Sequence, residues 1–485
     1  MEKKRKFRKL IFITLISILI STSISGESNA AKITQQDLIY FALTDRFYNG
    51  DLTNDQNVRK RDLSTYHGGD WQGIIDKLDY IKDLGFTTIW ISPLVANQIR
   101  GYHGYWAIDF YKPNQNFGNM GKIKELVTTA HAKGIKVIAD LVVNHVSPMH
   151  PWYNDPQYAN WFHQRGAIIN WNDQQEIEEG RLANLPDLDQ SNPEVKRYLI
   201  DMAKWWIRET GIDGYRLDTV RHVSKSFWKE FVAAIKQEYP NFFFIGEVFD
   251  GRTSYVADYQ NAGLDGLLDY PVYFALNEVF KNDRPVSQLI DVISECHNTY
   301  SNCNLMGTFI DNHDVPRFVN QIINLPAERL KQALAFIMTY TGIPVIYYGT
   351  EIVMDGGADP GNRMDMDWSS DSAIREYLKK LTAIRRNNKA LIYGDFEPMN
   401  ASPTQLCYLR RFEGNIIMSV FNLSDQKTRV ELALPDDLLR GKGSLFELTG
   451  AKGLNAINGK IKFTMAPRQV NIFSYRENTF NLNSR

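Results

Sequence analysis

Eight short runs rich in β-branched and aromatic residues recur along this chain, most of them separated by amphipathic helical stretches. The runs are Leu38–Phe47, Thr87–Pro93, Lys136–His145, Gly214–Val220, Asn241–Phe249, Gly266–Val272, Leu305–Asp314 and Pro344–Glu351. Trp71–Leu84, Lys122–Lys133, Pro193–Thr210 and Ser224–Tyr239 carry the helical pattern. One start signal is strong: Asn192-Pro193-Glu194 offers a capping amide, a proline at the first helical position and then an acid. Strand–helix alternation repeated eight times predicts the α/β class, with a (β/α)8 TIM barrel of parallel strands.

The pattern breaks twice. Residues 146–190 are rich in Trp, Asn, Asp and Pro and show no helix before Pro193. A long irregular loop in a compact domain usually serves function, so this stretch reads as a small subdomain inserted after the third strand. From about residue 396 long helices give way to β-type runs at Gln405–Phe412, Ile416–Asn422, Thr428–Leu434, Gly443–Leu448 and Gln469–Tyr475. The expected organisation is a barrel over 31–145 and 191–395, the insertion over 146–190, and an antiparallel β-sandwich over 396–485.

The N-terminus has its own logic. Lys3, Lys4, Arg5, Lys6, Arg8 and Lys9 precede the short apolar run Leu10–Ile20, and Ser28 and Ala30 place small residues before Ala31. This is the layout of a cleaved signal peptide over residues 1–30, and the run is too short for a bilayer span of about 20 apolar residues. The mature protein is therefore expected to be secreted, with no stable membrane anchor. Cleavage would remove six basic and two acidic residues and take the formal net charge from -1 to -5. A mildly acidic protein offers no basic footprint for nucleic acid. Three cysteines, Cys296, Cys303 and Cys407, are too few and too odd in number to be a scaffold, although Cys296 and Cys303 could pair.

Barrel chemistry sits at the carboxyl ends of the strands. Asp140, Asn144 and His145 end the third run, Arg216, Asp218 and His222 lie on or after the fourth, Glu247 ends the fifth, and His313 and Asp314 end the seventh. Adjacent parallel strands are about 4.8 Å apart, so the Asp218 and Glu247 carboxylates can face each other at about 5 Å. That spacing suits a retaining glycosidase, with one carboxylate as nucleophile and the other as acid/base; an inverting enzyme needs a wider gap for water. Arg216 lies two residues before Asp218, points to the same side, and is expected to hold it ionised. Glu247, among carboxylates and apolar neighbours, is expected to keep a proton to give.

The segments DLVVNH (140–145), LPDLD (185–189), GYRLDTVRH (214–222), IGEVF (245–249) and FIDNHD (309–314) occur in this order on the expected strands and loops. In them, the chain resembles the α-amylase clan of glycoside hydrolases from about Leu38 to its C-terminal domain. The resemblance implies that Asp218 is the nucleophile, Glu247 the acid/base, and Asp314 a residue that binds the sugar hydroxyls and helps distort the ring. It implies further that Tyr105 stacks on that sugar and that His103, His145, Arg216 and His313 complete its subsite. Arg221 and His222 would line the leaving-group side, although many α-amylases have Lys where Arg221 stands. Asp359 and Arg363 would hold more distant glucose units.

Two calcium ions are implied in the same way. Asn144, Asp187 and the His222 backbone carbonyl match ligands of an ion that clamps the insertion to the barrel, with Asp173 or Glu178 as a further acidic ligand. Asn49, Asp51, Asn54, Asp55, Gly68 and Asp70 resemble a calcium site in the first barrel loop, where three nearby carboxylates would repel one another without a cation. The Trp205-Trp206 pair reads as barrel packing, because adjacent helical positions face different ways. The expected partners are starch, maltodextrins and other α-glucans, and the expected oligomeric state is monomeric. The leading reading is an α-amylase. The alternative is a cyclomaltodextrinase, neopullulanase or maltogenic hydrolase acting on short or cyclic dextrins; a cyclodextrin glucanotransferase would carry further β domains. A non-catalytic relative is disfavoured because all three carboxylates are present.

Overall fold

The computed structural model describes residues 32–399, 402–440, 443–450, 453–454 and 459–476. The expected signal peptide lies outside them. All eight expected runs supply a strand: Ile39–Ala42, Thr88–Ile91, Lys136–Leu141, Gly214–Leu217, Phe243–Gly246, Gly266–Leu267, Gly307–Thr308 and Ile343–Tyr347. Their spatial order is six-five-four-three-two-one-eight-seven, every pairing is parallel, and a bridge from Leu268 to Gly307 joins the two ends into a ring.

Several strands are shorter than the apolar runs, for a local reason. Leu38–Phe47 turns helical at Thr44–Phe47, and Gly266–Val272 yields to a helix over Tyr270–Leu276. In the second case Asp269 caps the helix by accepting the Val272 amide, and Pro271 cannot donate to a sheet. Pro193–Thr210 forms as read: the Asn192 side chain accepts the Glu194 amide, and Gly211 ends the helix at φ 72°. Its apolar face, including Leu199, Met202, Trp206 and Ile207, is buried. Trp206 is core and donates to the Phe110 carbonyl at 2.8 Å, while half-buried Trp205 packs against the Tyr111 ring.

Two corrections concern the loops. The insertion holds a short helix, Gln174–Glu179, where none was expected, because Asp173 caps it by accepting two backbone amides. An antiparallel hairpin, Val95–Asn97 with Ala107–Pro113, follows the second strand; its register shifts blur the alternation that would reveal it in sequence. The insertion is tied to the barrel by the His145–Asp187 and Phe162–Leu188 bridges and by the Leu188 amide donating to Asn144 at 2.8 Å.

The C-terminal part begins with the strand Asp395–Pro398 and forms a six-stranded antiparallel sheet. A two-stranded sheet, Thr428–Ala433 with Lys460–Met465, packs on it through Leu409, Met418, Val430, Ile461 and Phe473. Buried Arg410 donates to the Thr339 carbonyl at 2.9 Å and fastens this domain to the barrel. The three cysteines are free thiols. Among the described residues no helix is long and apolar enough to cross a membrane.

Candidate active site

Strand register sets the site. Leu217 pairs with Gly246, so Asp218 and Glu247 stand side by side one residue beyond the pairing. The Glu247 amide donates to the Leu217 carbonyl at 2.9 Å and the Asp218 amide to Leu141 at 3.0 Å, which holds the ends of the third, fourth and fifth strands level. Beneath the carboxylates lies the fully buried guanidinium of Arg216. It contacts Asp218 at 2.6 Å, Glu247 at 2.7 Å, Asp140 at 3.0 Å and, more distantly, Asp314 at 3.9 Å. One cation thus fixes the nucleophile candidate, the acid/base candidate and a buried support.

Asp140 is that support. It accepts the Trp90 indole N–H at 3.1 Å and the Tyr105 hydroxyl at 2.7 Å, and burial pushes it up to about 6. Burial also raises Asp218 and Glu247, and the neighbouring carboxylates add to the effect in both. Arg216 lowers Asp218, the sense expected of it, but loss of water outweighs the guanidinium and the net push is upward. One Glu247 oxygen meets the Arg216 guanidinium at 2.7 Å. The Thr219 amide, aimed by the left-handed φ of 49° at that residue, donates to the other Glu247 oxygen at 3.1 Å.

Above the floor opens a cavity of about 380 Å³. Among its wall residues are His103, Tyr105, His145, Arg221, His222, His313, Asp314, Asp359 and Arg363, so every residue expected to bind substrate reaches this cavity or, as Arg216, its floor. Tyr105 stacks between His103 and His313, with ring centroids 5.5 and 5.3 Å away. Burial depresses His103, His145, His313 and His222, which keeps these imidazoles neutral hydrogen-bonding groups. Arg363 ties Asp314 to Asp359, with contacts of 3.1 Å to each. Sequence reasoning left out Tyr270, whose hydroxyl donates to Glu247 at 3.3 Å, and Trp171 and Phe249, which are half-exposed in the wall. Phe249 stood in the IGEVF segment; Trp171 carried no signal beyond the aromatic richness of the insertion.

The places read as calcium sites differ in detail. Asn144 Oδ1 and Asp187 Oδ1 are buried and accept no hydrogen bond, while the other Asp187 oxygen takes His163 Nδ1 at 2.7 Å. Burial pushes Asp187 up to about 7, a cost that a cation would offset. Neither Asp173, which caps its helix, nor Glu178, which accepts from Gln174, is bonded to this pair. In the first loop, the oxygens of Asn49 and Asn54 are buried without a donor. Gly68 holds a positive φ of 95°, a conformation that favours glycine, and so lets the chain approach Asn49 and Asp55 closely. The repulsion expected among the carboxylates is already relieved: Asp70 accepts the amides of Gly50, Asp51 and Gly73, Asp55 accepts Asn49 Nδ2, and Asp51 turns to Thr53. Among the described residues no three His, Cys, Asp or Glu side chains cluster as a metal site, so a cation at either place would draw on amide and backbone oxygens. The unmet hard oxygens fit calcium.

Residues 41–394 match the family described as the alpha amylase catalytic domain, and residues 396–472 that described as the maltogenic amylase C-terminal domain. A solved Anoxybacillus α-amylase superposes with a TM-score of 0.88 at 43% identity, over 92% of this chain and 99% of the other. The Beta/alpha-amylase of Paenibacillus polymyxa is 39% identical over 90% of this chain, which spans 37% of that relative's length. The cyclomaltodextrin glucanotransferase of Niallia circulans is 33% identical, over 95% of this chain and 70% of the relative.

Proposed function

The chain belongs to the α-amylase family of glycoside hydrolases, and on that premise we propose that it is a retaining endo-hydrolase of the α-1,4-glucosidic bonds of starch and related α-glucans. The observation that carries this reading is the pair Asp218 and Glu247, side by side on one buried guanidinium at the floor of an open cavity. Asp218 attacks the anomeric carbon while Glu247 gives its proton to the departing glycosidic oxygen. Glu247, now a carboxylate, takes a proton from water as that water cleaves the glycosyl ester. Asp314, held by Arg363, binds the hydroxyls of the reacting sugar. We assign the protein to the extracellular medium, freed by cleavage before Ala31.

A second reading has its own support, because the C-terminal segment matches the maltogenic amylase type. In it the preferred substrates are short or cyclic dextrins. One comparison of rates separates the two. An endo-amylase drops the viscosity of soluble starch before reducing ends accumulate and opens β-cyclodextrin slowly. Faster turnover of β-cyclodextrin than of starch would replace the first reading by the second.

Calcium belongs to the same proposal. Asn144, Asp187 and the His222 carbonyl would hold one ion between insertion and barrel, and Asn49, Asn54, Asp55, Asp70 and the Gly68 carbonyl a second. Its contribution would be structural, through preferential binding to the folded state. Asn54→Ala should lower Tm in millimolar calcium and shrink the further drop caused by EDTA, with kcat near wild type. Equal EDTA-induced drops in the variant and the wild type would leave the first loop as plain polar surface.

A further inference from the structure

A second cavity, of about 630 Å³, shares no residue with the catalytic one. It lies where the insertion meets the hairpin Ala107–Pro113 and the helix Pro193–Thr210. Its walls are aromatic. Trp152 sits 4.7 Å from Trp161 and 4.8 Å from Tyr198 by ring centroids, and Tyr158 lies 5.0 Å from Trp161. All four rings are half-buried, so each keeps part of its surface open.

Local structure holds the rings in place. Two short helical turns, Pro151–Asn154 and Pro156–Trp161, each begin with proline and a side-chain cap, from His150 and Asp155. A ligand would therefore find the rings already ordered and lose little entropy in fixing them. The polar groups are also unspent. His150 is 3% exposed and lines the cavity; its Nδ1 accepts the Trp152 amide at 3.2 Å, and its Nε2 has no partner. A buried donor of this kind is costly until something accepts from it. At the rim Arg197 and Asp201 are exposed and make no ion pair among the described residues.

Flat apolar faces beside unpaired donors and acceptors suit a molecule with apolar CH faces and hydroxyl edges. Asp109, Glu194 and Asp201 outnumber Arg197 here, so an anionic ligand is disfavoured. We propose that this cavity is an accessory binding site for a neutral oligosaccharide chain. Its choice of an α-glucan rests on the proposed function. The site would hold a distant part of a polymer while the catalytic cavity works on another, which raises the local concentration of scissile bonds.

The test uses Tyr158→Ala and the rim double variant Arg197→Ala/Asp201→Asn. Native gels containing amylopectin or a mixed-linkage β-glucan measure retardation, in an Asp218→Asn background that leaves the polymer undigested. Kinetics on a short chromogenic maltotrioside use the same substitutions with Asp218 intact. Both variants should bind amylopectin about tenfold more weakly, keep kcat/KM on the maltotrioside within about twofold, and lose rate on starch granules. Amylopectin binding like the parent in the rim double variant would reduce the cluster to packing and overturn the proposal, even if Tyr158→Ala lowers Tm. Retardation by the β-glucan alone would overturn the α-glucan assignment. A protein inactive on every α-glucan but retarded by amylopectin through these residues would sink the proposed function and leave the accessory site standing.

Discussion

Asp218→Asn is expected to abolish turnover of every substrate, by about 10⁴-fold or more. An amide cannot form the glycosyl ester, so no choice of leaving group rescues it. Glu247→Gln should behave differently. Starch hydrolysis needs a proton on the departing oxygen and should fall by about 10²–10⁴-fold. An α-glucosyl fluoride leaves with little protonation, so glycosylation by it should survive. Steady-state kinetics of both variants on both substrates gives the comparison. Equal losses on the two substrates in the Glu247 variant would break the division of labour. The asymmetry follows from the roles: Asp218 must bond the anomeric carbon, whereas Glu247 only moves a proton.

Arg216→Gln should be the most damaging substitution that leaves all the carboxyl groups in place. Arg216 is buried against Asp140, Asp218 and Glu247, and removing one partner of a buried ionic network costs about 3–5 kcal/mol of stability. The pH response has a defined sign. Arg216 lowers all three carboxyl groups against the pull of burial, so its loss raises them further. Turnover needs Asp218 ionised; the acidic limb of kcat/KM should therefore move to higher pH. Stability should move the other way. A carboxyl group whose folded pKa lies above its unfolded value destabilises the fold as pH rises from the unfolded towards the folded value. The variant should therefore lose more stability than wild type between about pH 4 and the raised folded values. Urea unfolding at pH 5 and pH 8 reads this directly. An unchanged acidic limb would mean that Arg216 serves packing alone.

Much of this architecture is legible in the sequence because parallel barrel strands are buried on both faces and read as apolar runs. Where strands stop is less legible. Asp269 and Pro271 end the sixth after two residues, and a capping contact is a local detail inside an apolar run. The residues expected at the catalytic cavity gather there because chemistry on this fold is confined to strand ends, a place that sequence can count to. Tyr270 escaped because it sits in a helix beyond a strand, where an aromatic residue looks like core. The upward push on Asp218 also escaped: spacing puts Arg216 beside Asp218, but only the packed structure reveals how completely water is excluded. The aromatic cavity of the insertion was invisible for a related reason. Trp152 and Trp161 meet Tyr198 only through folding, and no sequence period links them.

The central claim is a double displacement at Asp218 and Glu247, and the anomer of the first product tests it most directly. Proton NMR of soluble starch, taken within the first minutes of hydrolysis and before mutarotation, should show the α-anomeric signal of new reducing ends growing first. Growth of the β-anomer first would mean a single displacement by water and would contradict the assignment of Asp218 as nucleophile.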